Sequence, residues 1–278
     1  PQSLGNMSRN RTRPSPDAKI ETSIIVPTYR EAANIPELIR RVFAGLGARS
    51  QSTEIIVVDD NSNDGSVEAV SGLVDEGYRV RIIVRTDERG LSSAVLRGFN
   101  EAKGELLLCM DADLQHPPES VPELIDAIDP AKRGAEFVIG TRYAGEGFAV
   151  DKNWPMYRKV VSSGARMMAR KLSALTDPMT GFFGLPAAVY RRAAHINPIG
   201  FKIALELFVK CNVQDHAEVP INFGVRLHGE SKLTGKVIFL YLRHLADLYA
   251  FKYPFALVLI LLIAIAALIV GLKLFDIL

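Results

Sequence analysis

The sequence of 278 residues has only two cysteines. Cys109 sits in an apolar run and Cys211 in a helical pattern, so they make no disulfide framework and point to a reducing compartment. Phosphate loops are missing as well. No G-x-G-x-x-G follows the first strand pattern and no G-x-x-x-x-G-K-[ST] occurs anywhere, which argues against dinucleotide redox and P-loop chemistry. A G-x-S-x-G nucleophile elbow is also absent. Neither sign of charge dominates: the net charge is +2, which gives no bulk field for a nucleic-acid partner. No internal repeat is visible. The start, "PQSLGNMSRNRTRPSPDAK", has no apolar core, so residues 1–20 are expected to form a disordered tail. Without an apolar leader, the N-x-[ST] triplets at Asn6 and Asn10 read as chance.

Hydrophobic runs are abundant at the other end. "FALVLILLIAIAALIVGL", Phe255 to Leu272, is about 18 uncharged residues, or roughly 27 Å of helix, the thickness of a bilayer core. A transmembrane anchor is expected over 254–275, with a GPI-attachment tail as the other candidate. Arg243 and Lys252 precede the run, so the large N-terminal part should face the cytosol as a tail-anchored protein. The segment before it, 236–253, mixes aromatics and cations. It suits an amphipathic helix lying at the bilayer interface, and an ordinary packed helix is the alternative.

Between these ends, strand and helix patterns alternate. That is the signature of an α/β domain with a mainly parallel sheet flanked by helices, here over 21–235. "TSIIVP", "EIIVVDD", "RVRIIVR", "ELLLCMDA" and "AEFVIGTRY" read as strands with helices between them. Asn34 and Glu37 have capping-box spacing ahead of the first helix. In such sheets ligands bind at the carboxyl ends of the strands. Polar residues collect at those ends: Thr28, Tyr29 and Glu31, then Asp59, Asp60 and Asp64, then Arg85, Asp87 and Arg89. Asp111 and Asp113 follow the fourth strand and Arg142 the fifth.

Asp111, Asp113 and Gln115 alternate after a core strand, so in extended chain they share one side. Oxygen ligands of this kind suit Mg²⁺ or Mn²⁺ bound together with substrate phosphates. The competing reading is a helix cap near Pro118. "VVDDNSNDGS" resembles a calcium loop, but its twelfth residue, counted from Asp60, is Ser71, where a bidentate Glu belongs, and a strand precedes it. An Asp pair at a sheet edge can instead bind nucleoside hydroxyls or a base edge. Arg158, Ser162, Arg166 and Arg170 lie four apart on one helix face, suited to a lipid phosphate or simply solvated. "RLHGESKLTGK" has the glycines and cations of a loop that closes over phosphates, or of an ordinary surface loop.

Eight stretches in order resemble the family-2 glycosyltransferases with a GT-A fold: "IIVPTYREAANI", "VVDDNSNDGS", "ERGLSSAVLRGF", "MDADLQHPPE", "GTRY", "DPMTGFFG", "FKIALEL" and "FGVRLHGESKL". They span about residues 22 to 235. The resemblance implies an endoplasmic-reticulum enzyme that transfers mannose with inversion from GDP-mannose to dolichyl phosphate. Pro27, Tyr29, Glu31, Asp59, Asp60, Asp64, Arg89 and Asp111 then match donor-nucleotide positions. Asp111, Asp113 and Gln115 match the metal–diphosphate motif, and Arg142, Arg158 and Ser162 the lipid-phosphate grip. Arg226, Ser231 and Lys232 fall in a loop that closes on the donor, and Lys202 and Glu206 in a helix packed near it. Asp113, Arg226 and Lys232 are the implied catalytic groups.

The Q-x-x-R-W of processive polymer synthases is missing, and the single tryptophan, Trp154, lies in "KNWPMYR". One-sugar transfer is therefore favoured. A phosphate acceptor is already an anion at neutral pH and would need no dedicated base. A single terminal helix resembles the self-anchored members, so accessory membrane subunits are not expected to be required. The rivals are a UDP-glucose-dependent transfer to the same lipid and a membrane-anchored nucleotide-sugar sensor without turnover.

Overall fold

The computed structural model describes residues 18–143, 164–224, 235–255, 262 and 265. The first half alternates strictly: β1 (Thr22–Thr28), α1 (Ile35–Leu46), β2 (Thr53–Asp59), α2 (Ser66–Asp75), β3 (Val80–Val84), α3 (Leu91–Glu101), β4 (Leu106–Cys109), α4 (Val121–Ile128) and β5 (Phe137–Thr141). There follow β6 (Phe183–Pro186), α5 (Ala187–Tyr190), α6 (Ile203–Lys210), β7 (His216–Pro220) and α7 (Gly235–Lys252). The strands make one sheet in the order β3-β2-β1-β4-β6-β5-β7. All neighbours are parallel except β6, which runs antiparallel to both β4 and β5. This is an α/β GT-A fold with a mostly parallel sheet between helices.

Strand periodicity divides the core. Ile24, Val26, Ile55, Val57, Leu106 and Leu108 pack with α1, α2 and α4 on one face. Ile25, Ile56, Val58, Leu107 and Cys109 pack with α3 and α6 on the other. Successive side chains of a strand point to opposite faces, and burial on both faces explains the unbroken apolar runs. Each such side chain contributes about 1.5–3 kcal/mol when fully buried. Gly98 of α3 lets that helix lie directly on β1, because a Cβ there would stand 2.5 Å from Ile25.

The sheet brings the functional ends together. Thr28 of β1 pairs with Asp59 of β2, which pairs with Val84 of β3, while Ile25 of β1 pairs with Cys109 of β4. The carboxyl ends of all four therefore open on one edge.

Three local expectations need adjustment. The capping box does not form: Asn34 has helical φ and ψ and makes no cap bond, and its amide turns back to Glu31 Oε2 at 2.6 Å. β6 and β7 were not legible as strands, since one has four residues and the other is a partly buried edge. α7 has one packed face, where Tyr241, Leu245 and Leu248 meet Ala169, Leu172, Leu205 and Val209. Among the described residues no helix is long and apolar enough to cross a membrane. The expected anchor over 254–275 lies outside the described residues except for Pro254, Phe255, Leu262 and Ile265, and the expected tail over 1–20 does so except for residues 18–20.

Candidate functional site

The crevice at the carboxyl edge has two sides. One is built by the loops after β1, β2 and β3. Asp59 is buried, and its carboxylate accepts the Ser62 N–H at 2.8 Å and the Thr28 hydroxyl at 3.2 Å, besides the Ser62 hydroxyl. Ser62 Oγ in turn accepts the Arg30 N–H at 2.8 Å, stitching the first loop to the second. Asp60 pairs with the buried guanidinium of Arg85, Nε at 2.8 Å, and accepts the Gly90 N–H at 2.7 Å. Arg85 goes on to Ser93 Oγ at 2.8 Å and Gly90 O at 2.9 Å. Asp64 accepts from Ser66 N–H and Oγ and from Ala32 N–H. Burial works to raise its pKa, but these hydrogen bonds hold it below the usual carboxylate value. The three acids read from sequence as nucleotide ligands are thus engaged in tying loops together. Tyr29 is half-buried between cations, with the Arg30 and Arg89 guanidinium carbons 5.3 Å and 5.8 Å from its ring centre. Pro27 is buried in β1 opposite Val58, and Glu31 accepts from Asn34.

The other side is the loop after β4 with the residues facing it. Asp111 keeps its side chain 35% exposed. Its N–H donates to His116 Nδ1 at 3.2 Å, so that nitrogen carries no proton. Burial pulls the imidazole pKa down against the pull of Asp111 and Asp113, consistent with a neutral ring. His116 stacks on Phe182 and meets Phe223 edge-on. Asp113 accepts the Gln115 N–H at 3.2 Å. Gln115 exchanges two hydrogen bonds with Gly224: its Nε2 donates to Gly224 O at 3.1 Å, and the Gly224 N–H donates to Gln115 O at 2.8 Å. That leaves Gln115 Oε1 as the amide's acceptor. Leu114 has φ of +61°, a conformation costly for a side chain of its size, which the loop's packing enforces.

Gly181 backs this loop. A Cβ there would stand 2.8 Å from both Asp111 carboxylate oxygens, so the missing side chain is what gives that carboxylate its room. Two carboxylates and an amide oxygen suit a hard divalent cation that completes its shell with phosphate oxygens. Among the described residues no three His, Cys, Asp or Glu side chains gather into a self-sufficient metal cage. Residues 112–114 form a turn, with Leu114 at positive φ, and not the extended chain expected, so alternation alone does not place the three side chains on one side. The donor types suit a metal that arrives with its substrate.

Arg142 follows β5 and is mostly buried. Its Nε and Nη2 donate to the two oxygens of Asp177 at 2.7 Å and 2.9 Å. Its guanidinium lies 5.0 Å from the Phe223 ring centre and 5.6 Å from that of Tyr143. Arg166 stacks on the same Tyr143 at 4.0 Å. Lys202 donates to Met179 O at 2.9 Å. Burial, with Arg142 nearby, pushes its pKa down to about 8.

Glu206 has its hydrogen-bond partners within the domain itself. It is buried between α6 and α7, accepting from Lys210 at 3.1 Å and from Asn197 N–H at 2.8 Å and pairing with His244 at 2.6 Å. The resemblance placed Glu206 in a helix packed near the donor; in the fold its carboxylate ties α6 to α7 through His244. Arg158, Ser162, Arg226, Ser231 and Lys232 lie outside the described residues. Sequence reasoning passed over Asp177, Gly181 and His116, although all three stand inside stretches quoted for the family pattern.

The family model for glycosyl transferase family 2 matches residues 23–196, most of the domain just described. The chain belongs to that family. It is accordingly a glycosyltransferase, and its relatives within the family are close. The dolichol-phosphate mannosyltransferase of Mycosarcoma maydis is 55% identical over 254 residues, covering 88% of this chain and 85% of the relative. That of Saccharomyces cerevisiae is 56% identical over 242 residues, 84% and 89% of the two chains. Among solved structures, glucosyl-3-phosphoglycerate synthase from Mycobacterium tuberculosis with Mg²⁺ and UDP superposes with a TM-score of 0.60 at 17% identity. The match covers 84% of this chain and 79% of that one and speaks for the shared fold.

Proposed function

We propose that the protein transfers mannose from GDP-mannose to dolichyl phosphate with inversion, working at the cytosolic face of the endoplasmic-reticulum membrane. The names of the two fungal relatives supply the substrate class. The observation that carries the acceptor chemistry is the state of Asp177. It is fully buried and holds Arg142 through both oxygens, so this side of the crevice offers a cation where an alcohol acceptor would need a base. A phosphate monoester is an anion already and needs a positioned cation instead.

In this reading Asp111, Asp113 and Gln115 hold Mg²⁺ or Mn²⁺, which would neutralise the donor diphosphate as GDP leaves. Arg142, with Arg158 and Ser162, orients the acceptor phosphate for in-line attack on the anomeric carbon. Lys202, Arg226, Ser231 and Lys232 add donors around the diphosphate, and Tyr29 with Arg89 flanks the nucleotide. The outer face of α7 exposes Phe239, Leu242 and Phe251, opposite the face packed on α6. Such a helix suits the bilayer surface and would hold the crevice near its lipid substrate, with the 254–275 segment as anchor and no accessory subunit required.

The test is donor choice. Purified, detergent-solubilised protein receives dolichyl phosphate, Mg²⁺ and labelled GDP-mannose or UDP-glucose, and label in the lipid phase is counted. Lipid label from GDP-mannose alone, abolished by EDTA, is expected. Label from UDP-glucose would change the sugar and keep the site. Nucleotide-sugar binding without transfer would replace the enzyme by a sensor.

A further inference from the structure

We infer that Asp177 is a positioning residue that aims Arg142 at the acceptor phosphate. The inference rests on the acceptor-side reading of Arg142 given above. A guanidinium has five N–H donors on a rigid plane. Asp177 takes the Nε–Nη2 edge in a two-bond fork, which fixes both the plane and the rotation of the group. The rings of Phe223 and Tyr143 hold it further. Nη1 makes no hydrogen bond to the described residues, so the donors left for an anion are its two N–H groups and the second N–H of Nη2, along the Nη1–Nη2 edge.

Asp177 is itself well anchored. Its turn is pinned to β5 by Thr180, whose hydroxyl donates to Gly140 O at 3.0 Å. The Thr180 N–H closes the turn on Asp177 O at 3.3 Å. The same turn ends at Gly181, against Asp111. One short segment therefore fixes the acceptor cation and shapes the space for the metal-side carboxylate. An unclamped Arg142 would keep its charge but sample many orientations, and misplacement by about an ångström can cost on the order of a hundredfold in rate.

The experiment compares Asp177→Asn, Arg142→Ala and the double variant in the full-length protein. It reads acceptor KM, donor KM, kcat, GDP binding and melting temperature. Asp177→Asn is expected to raise acceptor KM about tenfold or more while GDP binding and donor KM stay within about twofold. In the double variant the Asn substitution should add nothing to the Arg142→Ala defect, because two residues acting through one contact are not additive. Independent, multiplying effects would overturn the inference. So would a lower melting temperature with acceptor KM unchanged, which is what a purely structural pair predicts. If Arg142→Ala alone raises acceptor KM, the acceptor-side reading stands whatever Asp177 does; if it does not, reading and inference fall together. Should Asp177→Asn fail to fold, Asp177→Glu keeps the charge pair but displaces the guanidinium, and the same split of acceptor KM from donor KM decides.

Discussion

Asp60 and Asp111 each stand within two residues of the end of a parallel strand, β2 and β4, and their surroundings part them. Asp60 faces a buried arginine and a backbone N–H and is itself nearly buried. Asp111 keeps about a third of its side chain exposed, and a glycine stands where any side chain would crowd it. The loops after β1 and β2 thus use their carboxylates as internal ties, and the loop after β4 leaves one partly exposed. A strand-end acid signals a functional edge, and only its neighbours say which of the two jobs it does.

The comparison can be broken most severely at Asp60. Asp60→Ala takes the buried carboxylate from the Arg85 guanidinium, 3% exposed, and leaves it Glu88 at 3.0 Å, Ser93 and Gly90, which should cost about 1–3 kcal/mol in a denaturant titration. If stability falls by less than about 1 kcal/mol, the tie is not structural. Asp111→Asn should leave stability nearly unchanged and lower turnover about 10²–10³-fold, as loss of one preorganised electrostatic contact does. Retention of a tenth of the wild-type rate would remove Asp111 from the metal site. Gly181→Ala sharpens the contrast without altering any polar group. Its Cβ would push the Asp111 carboxylate aside, and turnover should drop about tenfold, or about 1.4 kcal/mol in barrier, with the melting temperature held.

These contrasts explain what was legible in the sequence. Four of the five apolar runs from "TSIIVP" to "AEFVIGTRY" are buried on both faces, and the third, β3 at the sheet edge, is partly buried, so composition alone marked them as strands. β6 and β7 are too short or too exposed for that signal. The strand-end clusters located the crevice for the same topological reason. Their division of labour was hidden, because Thr28 reaches Asp59 from β1, and Arg85 and Gly90 reach Asp60 from the loop after β3, only through the fold. Asp177 was invisible as a functional residue for a related cause: its partner, Arg142, lies 35 positions earlier. Glu206, which the resemblance placed with Lys202 in a helix near the donor, is bound up with His244, Lys210 and Asn197, partners that its sequence neighbourhood did not show.

Lys202 carries the smallest effect and tests whether a buried cation stands beside Arg142 at neutral pH. Burial and Arg142 bring its pKa from 10.5 to about 8. Below pH 8 the lysine is charged in folded and unfolded protein alike, and the cost of confining that charge is fully present. Between 8 and 10.5 the folded protein releases the proton while the unfolded chain keeps it, so the cost is relieved and stability recovers as pH rises. Wild type should therefore gain in melting temperature on Lys202→Met between pH 8 and 10. A constant difference across that range would mean that Lys202 titrates like an exposed lysine. The recovery, if seen, would also say that at pH 7 the group stays protonated despite its surroundings, held available for an anion beside Arg142.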